Sequence, residues 1–91
     1  RLLMMYARNK LHLRTRIPFD LQKALAGELV VLRNGQKAQV LADISKSVLL
    51  LDTRSPLIVM HDDACIEYYR IDGHYLSFGN SEYDLICMSD D

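Results

Sequence analysis

The chain has 91 residues, is 49% hydrophobic and 25% charged, and carries a formal net charge of −1. That apolar content excludes a disordered chain, and the length suits one domain, because a second would leave each half without an adequate core. No run reaches the ~18–20 apolar residues of a membrane span. Two cysteines are too few for a disulfide framework, so a reducing cytoplasm is the expected setting.

The near-neutral total hides an asymmetry. Residues 1–38 hold eight basic groups against two acids, and residues 39–91 hold three against ten. A basic front can meet phosphate, while an acidic back repels it; alternatively, the two halves neutralise each other across the fold. Residues 1–16, RLLMMYARNKLHLRTR, are basic and acid-free. They lack the long apolar core and small-residue cleavage site of a secretory signal. They read as an extension ahead of a single globular domain over residues 17–91. Three origins stand open: an appended stretch, translation from upstream of a natural start, or an organelle transit segment.

From Ile17 onward the elements follow in order. Pro18 keeps Ile17 out of a helix, Asp20 sits where an N-cap belongs, and residues 21–26 (LQKALA) are good helix formers that Gly27 terminates. The spacing of Leu21 and Leu25 predicts one narrow apolar stripe facing inward, with Phe19 as a staple. A helix of about two turns cannot stand alone and must pack on something.

What it packs on is β structure. Residues 28–33 (ELVVLR) form a predicted strand, Asn34-Gly35 a type I′ turn, and residues 36–43 (QKAQVLAD) the return strand. Alternation puts Ala38, Val40 and Ala42 on one face; Lys37, Gln39 and Asp43 lie on the other, and Leu41 breaks the pattern. Residues 47–52 (SVLLLD), 57–60 (LIVM) and 64–71 (ACIEYYRI) read as further strands. Asp72-Gly73 signals a second hairpin returning through residues 75–78 (YLSF), and residues 85–88 (LICM) close the chain's β structure. The expected fold is α+β: a short N-terminal helix, then an antiparallel meander of about six strands, curled or forming a small half-barrel. No βαβ pattern is present, which argues against a parallel nucleotide-binding sheet.

Catalytic signatures are weak. His61, Asp62 and Asp63 with Cys65 are the one cluster mixing imidazole, carboxylate and thiol. No second ligand pair follows at metal spacing, and a polar turn between two apolar runs explains the cluster. The serines have no nucleophile-elbow context, and Gly27 and Gly35 are accounted for by a cap and a turn rather than a phosphate loop. A non-enzymatic protein with no cofactor and no metal is therefore the expectation.

Binding is the class that survives. Tyr68, Tyr69, Tyr75 and Tyr83 cluster in the last third beside Asp62 and Glu67. Because strand side chains alternate, Tyr68 and Tyr69 cannot both face inward. These six residues are the candidate surface for a protein partner; the bland alternative is ordinary cross-strand packing of aromatics. The runner-up is a nucleic-acid module using Lys23, Arg33 and Lys37 near the first hairpin. An unprotected sheet edge would also offer a route to a homodimer.

The stretch PFDLQKALAGELVVLRNGQKAQVL resembles the opening of a group of small, uncharacterised phage and prophage proteins, and YYRIDGHYLSFGNSEYDLICM is similar to their second half. The likeness covers roughly residues 17–88. It implies a phage-derived cytoplasmic accessory domain and carries over no catalytic residues.

Overall fold

The computed structural model describes residues 17–47 and 54–90. A short helix, α1 (Leu21–Leu25), precedes five strands: β1 (Val30–Leu32), β2 (Lys37–Asp43), β3 (Leu57–His61), β4 (Ile66–Tyr69) and β5 (Leu85–Met88). They form one open antiparallel sheet in the order β4-β3-β2-β1-β5. The architecture is α+β as the pattern predicts, with five strands among the described residues rather than about six, and with the sheet not closed. The strand expected at residues 47–52 falls almost wholly outside the described residues. None of the described helices is long and apolar enough to cross a membrane.

The helix is built as its sequence dictates. The Asp20 carboxylate accepts from the Lys23 amide at 3.2 Å, which satisfies one of the orphan donors of the first turn. At the other end the Glu28 amide donates to Lys23 O and the Gly27 amide to Ala24 O, the paired bonds of a Schellman stop. The buried face differs from the predicted Leu21–Leu25 stripe. Ala24 is fully buried, Leu21 packs partly on the core and Leu25 is exposed. The helix lies close enough to the sheet that a methyl group fills the space between them.

One turn design occurs three times. In residues 32–36, 61–65 and 70–74 the first amide donates to the fifth carbonyl, and the fourth amide to the first carbonyl. The third residue (Asn34, Asp63 or Asp72) accepts from the fifth amide through its side chain. The fourth residue (Gly35, Ala64 or Gly73) has positive φ. This is the three-residue hairpin loop, a type I turn followed by a left-handed residue. It replaces the two-residue type I′ turn expected at Asn34-Gly35, where Gly35 alone has positive φ.

The hairpin expected at Asp72-Gly73 makes its turn but has no return strand. Past His74, the Tyr75 amide is captured by the Asp84 carboxylate at 2.9 Å, and Gly73 O accepts the Leu85 amide. These bonds pull residues 75–84 off the β4 ladder and across one face of the sheet towards β5.

That inner face is the core. Val30, Leu32, Ala38, Val40, Leu57, Val59, Tyr69, Leu85 and Met88 are buried there, covered by α1 and Phe19 at one end and by Tyr75 and Tyr83 at the other. Ala42 does not join Ala38 and Val40 as alternation predicts. The β2–β3 register shifts between Val40 and Ala42, so Ala42 pairs with Ile58 and Asp43 with Leu57. Leu41 is the extra residue of this bulge, 46% exposed. The outer face carries Val31, Ile58, Met60, Ile66 and Tyr68, the last two 47% and 54% exposed.

Candidate functional site

The cleft begins with the second turn. Asp62, Asp63 and Ala64 join β3 to β4, bringing His61 at the end of β3 opposite Cys65 and placing Glu67 two residues further along β4. Because Glu67 pairs with buried Val59, its side chain leaves from the inner face. Residues 75–84 cross the same face and set Tyr75 and Tyr83 above it. The result is an open cleft of about 250 Å³ lined by Gln36, His61, Asp63, Cys65, Glu67, Tyr75 and Tyr83.

Its floor is a hydrogen-bonded relay. The Tyr69 hydroxyl donates to the Tyr83 carbonyl at 2.7 Å and lies 2.7 Å from His61 Nε2. A carbonyl can only accept, so the single phenolic proton belongs to that bond, and Nε2 must be the donor to the hydroxyl. In neutral His61 this assignment leaves Nδ1 with its lone pair. The rings hold one another: His61 stacks on Tyr83 with centroids 5.8 Å apart, and Tyr75 meets both Tyr69 and Tyr83. Burial, reinforced by neighbouring Tyr75, Glu67 and Asp84, pushes the Tyr69 phenol well above its usual range and keeps its donor in place.

The walls are acidic. Tyr75 donates to Glu67 Oε1 at 3.0 Å, an interaction that leads the causes raising the Tyr75 pKa. Asp63 accepts the Cys65 amide at 3.0 Å, and that bond lowers its pKa against a smaller cost of burial. The Asp63 carboxylate, with Glu67 further away, pushes the Cys65 thiol up. A nucleophilic cysteine needs the opposite environment, one that favours thiolate. Among the described residues no Lys or Arg lines the cleft, and no three His, Cys, Asp or Glu side chains are placed to hold a metal ion.

A buried ionic hub secures the crossing segment. Asp84, 2% exposed, accepts the Tyr75 amide, the Ser81 amide and Arg33 Nη2, and lies 3.4 Å from His74 Nδ1. Burial alone would raise its pKa. The bonds from Ser81, Tyr75 and Arg33 together outweigh that, and the carboxyl stays below its usual range. Arg33 Nε adds a bond to Ser81 O.

The six residues expected to form one binding surface therefore divide. Tyr69 is fully buried and holds the core together, which corrects its assignment to a surface; it points inward from β4 because it pairs with Leu57. Tyr75, Tyr83 and Glu67 do converge, around the cleft. Tyr68 points to the opposite face of the sheet. Asp62 braces the two hairpins, accepting from Gln36 Nε2 and the Lys37 amide. Of the basic set, Arg33 is engaged by Asp84 and Ser81, Lys23 is exposed on α1 over the inner face, and Lys37 belongs to the outer face. Four cleft residues escape a reading by local pattern: Gln36, His61, Asp63 and Cys65. His61, Asp63 and Cys65 look like turn residues in one dimension, and Gln36 arrives from another hairpin.

The sequence profile of the family described as Haemophilus phage HP1 protein YO09 matches residues 17–91. The chain belongs to that family. The YO09 family is phage-encoded, in keeping with the resemblance of the PFDL and Tyr-rich segments to small phage proteins. Comparison with curated proteins and with solved structures found no match to either.

Proposed function

We propose that this YO09-family protein is a small, non-enzymatic phage accessory module that binds a protein partner through its tyrosine-walled acidic cleft. One observation carries the reading: Asp63, Glu67, Tyr75 and Tyr83 converge on a cleft that no Lys or Arg among the described residues lines. Carboxylates beside aromatic faces favour a cationic group, by direct pairing and by attraction to the ring quadrupole. At about 250 Å³ the cleft is below the ~300–1,000 Å³ of pockets for drug-sized ligands, so it suits a single long side chain of a partner. The protonated Cys65 thiol supports a binding role over a nucleophilic one.

The test is affinity capture from host lysate, with and without phage infection, comparing the native chain with an Asp63→Asn/Glu67→Gln double variant. The amides keep acceptors for the Cys65 amide and the Tyr75 hydroxyl while removing both charges. A specific partner recovered by the native chain should fall at least about tenfold with the variant, the loss expected for one charge-assisted hydrogen bond. Equal recovery by both forms, or no specific partner, overturns the proposal.

A further inference from the structure

The two edges of the sheet are treated differently. Beyond β5 the preceding chain covers the ladder: the Phe19 amide donates to Ile86 O, the Met88 amide donates to Ile17 O, and Pro18 bridges to Cys87. Beyond β4 no strand follows among the described residues. Cys65 O faces β3, where it accepts the His61 amide, so alternation turns the backbones of Glu67 and Tyr69 inward and those of Ile66, Tyr68 and Arg70 outward. The Arg70 amide is taken by His74 O. Among the described residues nothing takes the outward groups of Ile66 and Tyr68, whose own side chains are exposed on the outer face.

Open edges are ordinarily blunted by short length, charged side chains, proline or a bulge, because they invite pairing. β4 has no lysine, proline or bulge. It is four residues long and its one charge is Glu67, pointing to the inner face beside the cleft, so charge decides what may pair with it. Over residues 62–72 the edge holds Asp62, Asp63, Glu67 and Asp72 against Arg70 alone. Two copies of so acidic an edge repel each other, and a two-fold axis at Glu67 would set Glu67 against itself, a destabilising cross-strand pair.

Resting on the reading of the cleft as a partner site, we infer that β4 accepts an extended, basic segment of the partner as a sixth antiparallel strand. Its geometry is specified. Partner residues opposite Ile66 and Tyr68 exchange backbone hydrogen bonds with them and place apolar side chains on the outer face. Residues opposite Glu67 point to the inner face, where a guanidinium or ammonium meets Glu67 and Asp63 at the cleft. The ligand class is thus a strand alternating basic and apolar residues.

The experiment uses a fluorescent peptide alternating arginine and valine. The native chain should bind it saturably and should not bind the glutamate-valine counterpart. N-methylation of the valine amides, which face β4, should weaken binding at least about tenfold, while methylation of the arginine amides, which face away, should not. Tyr68→Pro should weaken binding similarly; proline is tolerated at a position whose N–H points off the edge, so the β3–β4 ladder survives. The inference is overturned by no binding, by equal binding of the glutamate peptide or the N-methyl-valine peptide, or by a concentration-dependent dimer in sedimentation that Tyr68→Pro abolishes. In affinity capture, a partner lost by Asp63→Asn/Glu67→Gln but kept by Tyr68→Pro overturns the edge inference and leaves the cleft reading standing. A partner kept by both variants overturns the cleft reading itself.

Discussion

Ala64 stands where the two sister turns have glycine. With φ at 70° it occupies the left-handed region, while Gly35 and Gly73 fill the equivalent position at 96° and 90°. A Cβ there crowds the following carbonyl and costs about 1–2 kcal/mol. Glycine removes that strain but adds freedom to the unfolded chain. Ala64→Gly should therefore stabilise the protein by about 0.5–1 kcal/mol, read as a higher urea midpoint at unchanged slope. The residue scale is also where the sequence is most legible. Asp20, Asn34-Gly35 and Asp72-Gly73 announce a cap and two turns, because these side chains act on amides two or three positions away. The turn type was not legible: whether an Asn-Gly pair closes a two- or a three-residue loop depends on where the flanking strands resume pairing.

At the scale of elements, the segment between β4 and β5 decides whether a cleft exists. It is anchored where Gly73 passes under β5. A Cβ at Gly73 would come within 3.1 Å of both Leu85 O and Phe19 Cδ2, at a φ of +90°. Gly73→Ala should destabilise by about 1–3 kcal/mol and speed amide exchange across residues 73–84, as hydrogen-exchange measurements would show. Exchange unchanged from the native chain would show that the anchor lies elsewhere. The missing return strand at residues 75–78 is instructive here. YLSF has the composition of a strand, yet Asp84, distant in sequence, takes the Tyr75 amide and diverts the chain. A carboxylate that binds two amides and an arginine outweighs local β-propensity. Likewise, the bulge at Leu41 moved Ala42 off the predicted face, because one extra residue reverses the alternation after it.

For the whole molecule, the titrating groups define two arms of a stability profile. Asp43, Asp63 and Asp84 have pKa values lowered from 3.8. Groups depressed in the folded state contribute stability above the unfolded pKa and lose it as pH falls through the folded one. Thermal melts should accordingly show an acid arm below pH 3.8, and Asp84→Ala should reduce it. Tyr69 behaves oppositely: its phenol is raised from 10.0, so its contribution is present below that pH and is lost as pH rises above it. An alkaline arm that persists unchanged in Tyr69→Phe would refute this assignment.

The mixed α+β character, the helix with its caps and the alternating strands were readable from the 91 residues, because each rests on side chains acting within a few positions of themselves. Phage kinship was readable only as a likeness of segments to other proteins. Tertiary structure alone decided which tyrosines are buried, that His61, Gln36, Asp63 and Cys65 meet Glu67 and Tyr83, and which sheet edge no described strand covers. Tyr68 and Tyr69 are indistinguishable by composition. One pairs with Ile58 towards solvent and the other with Leu57 towards the core, and only the register between strands assigns the two faces.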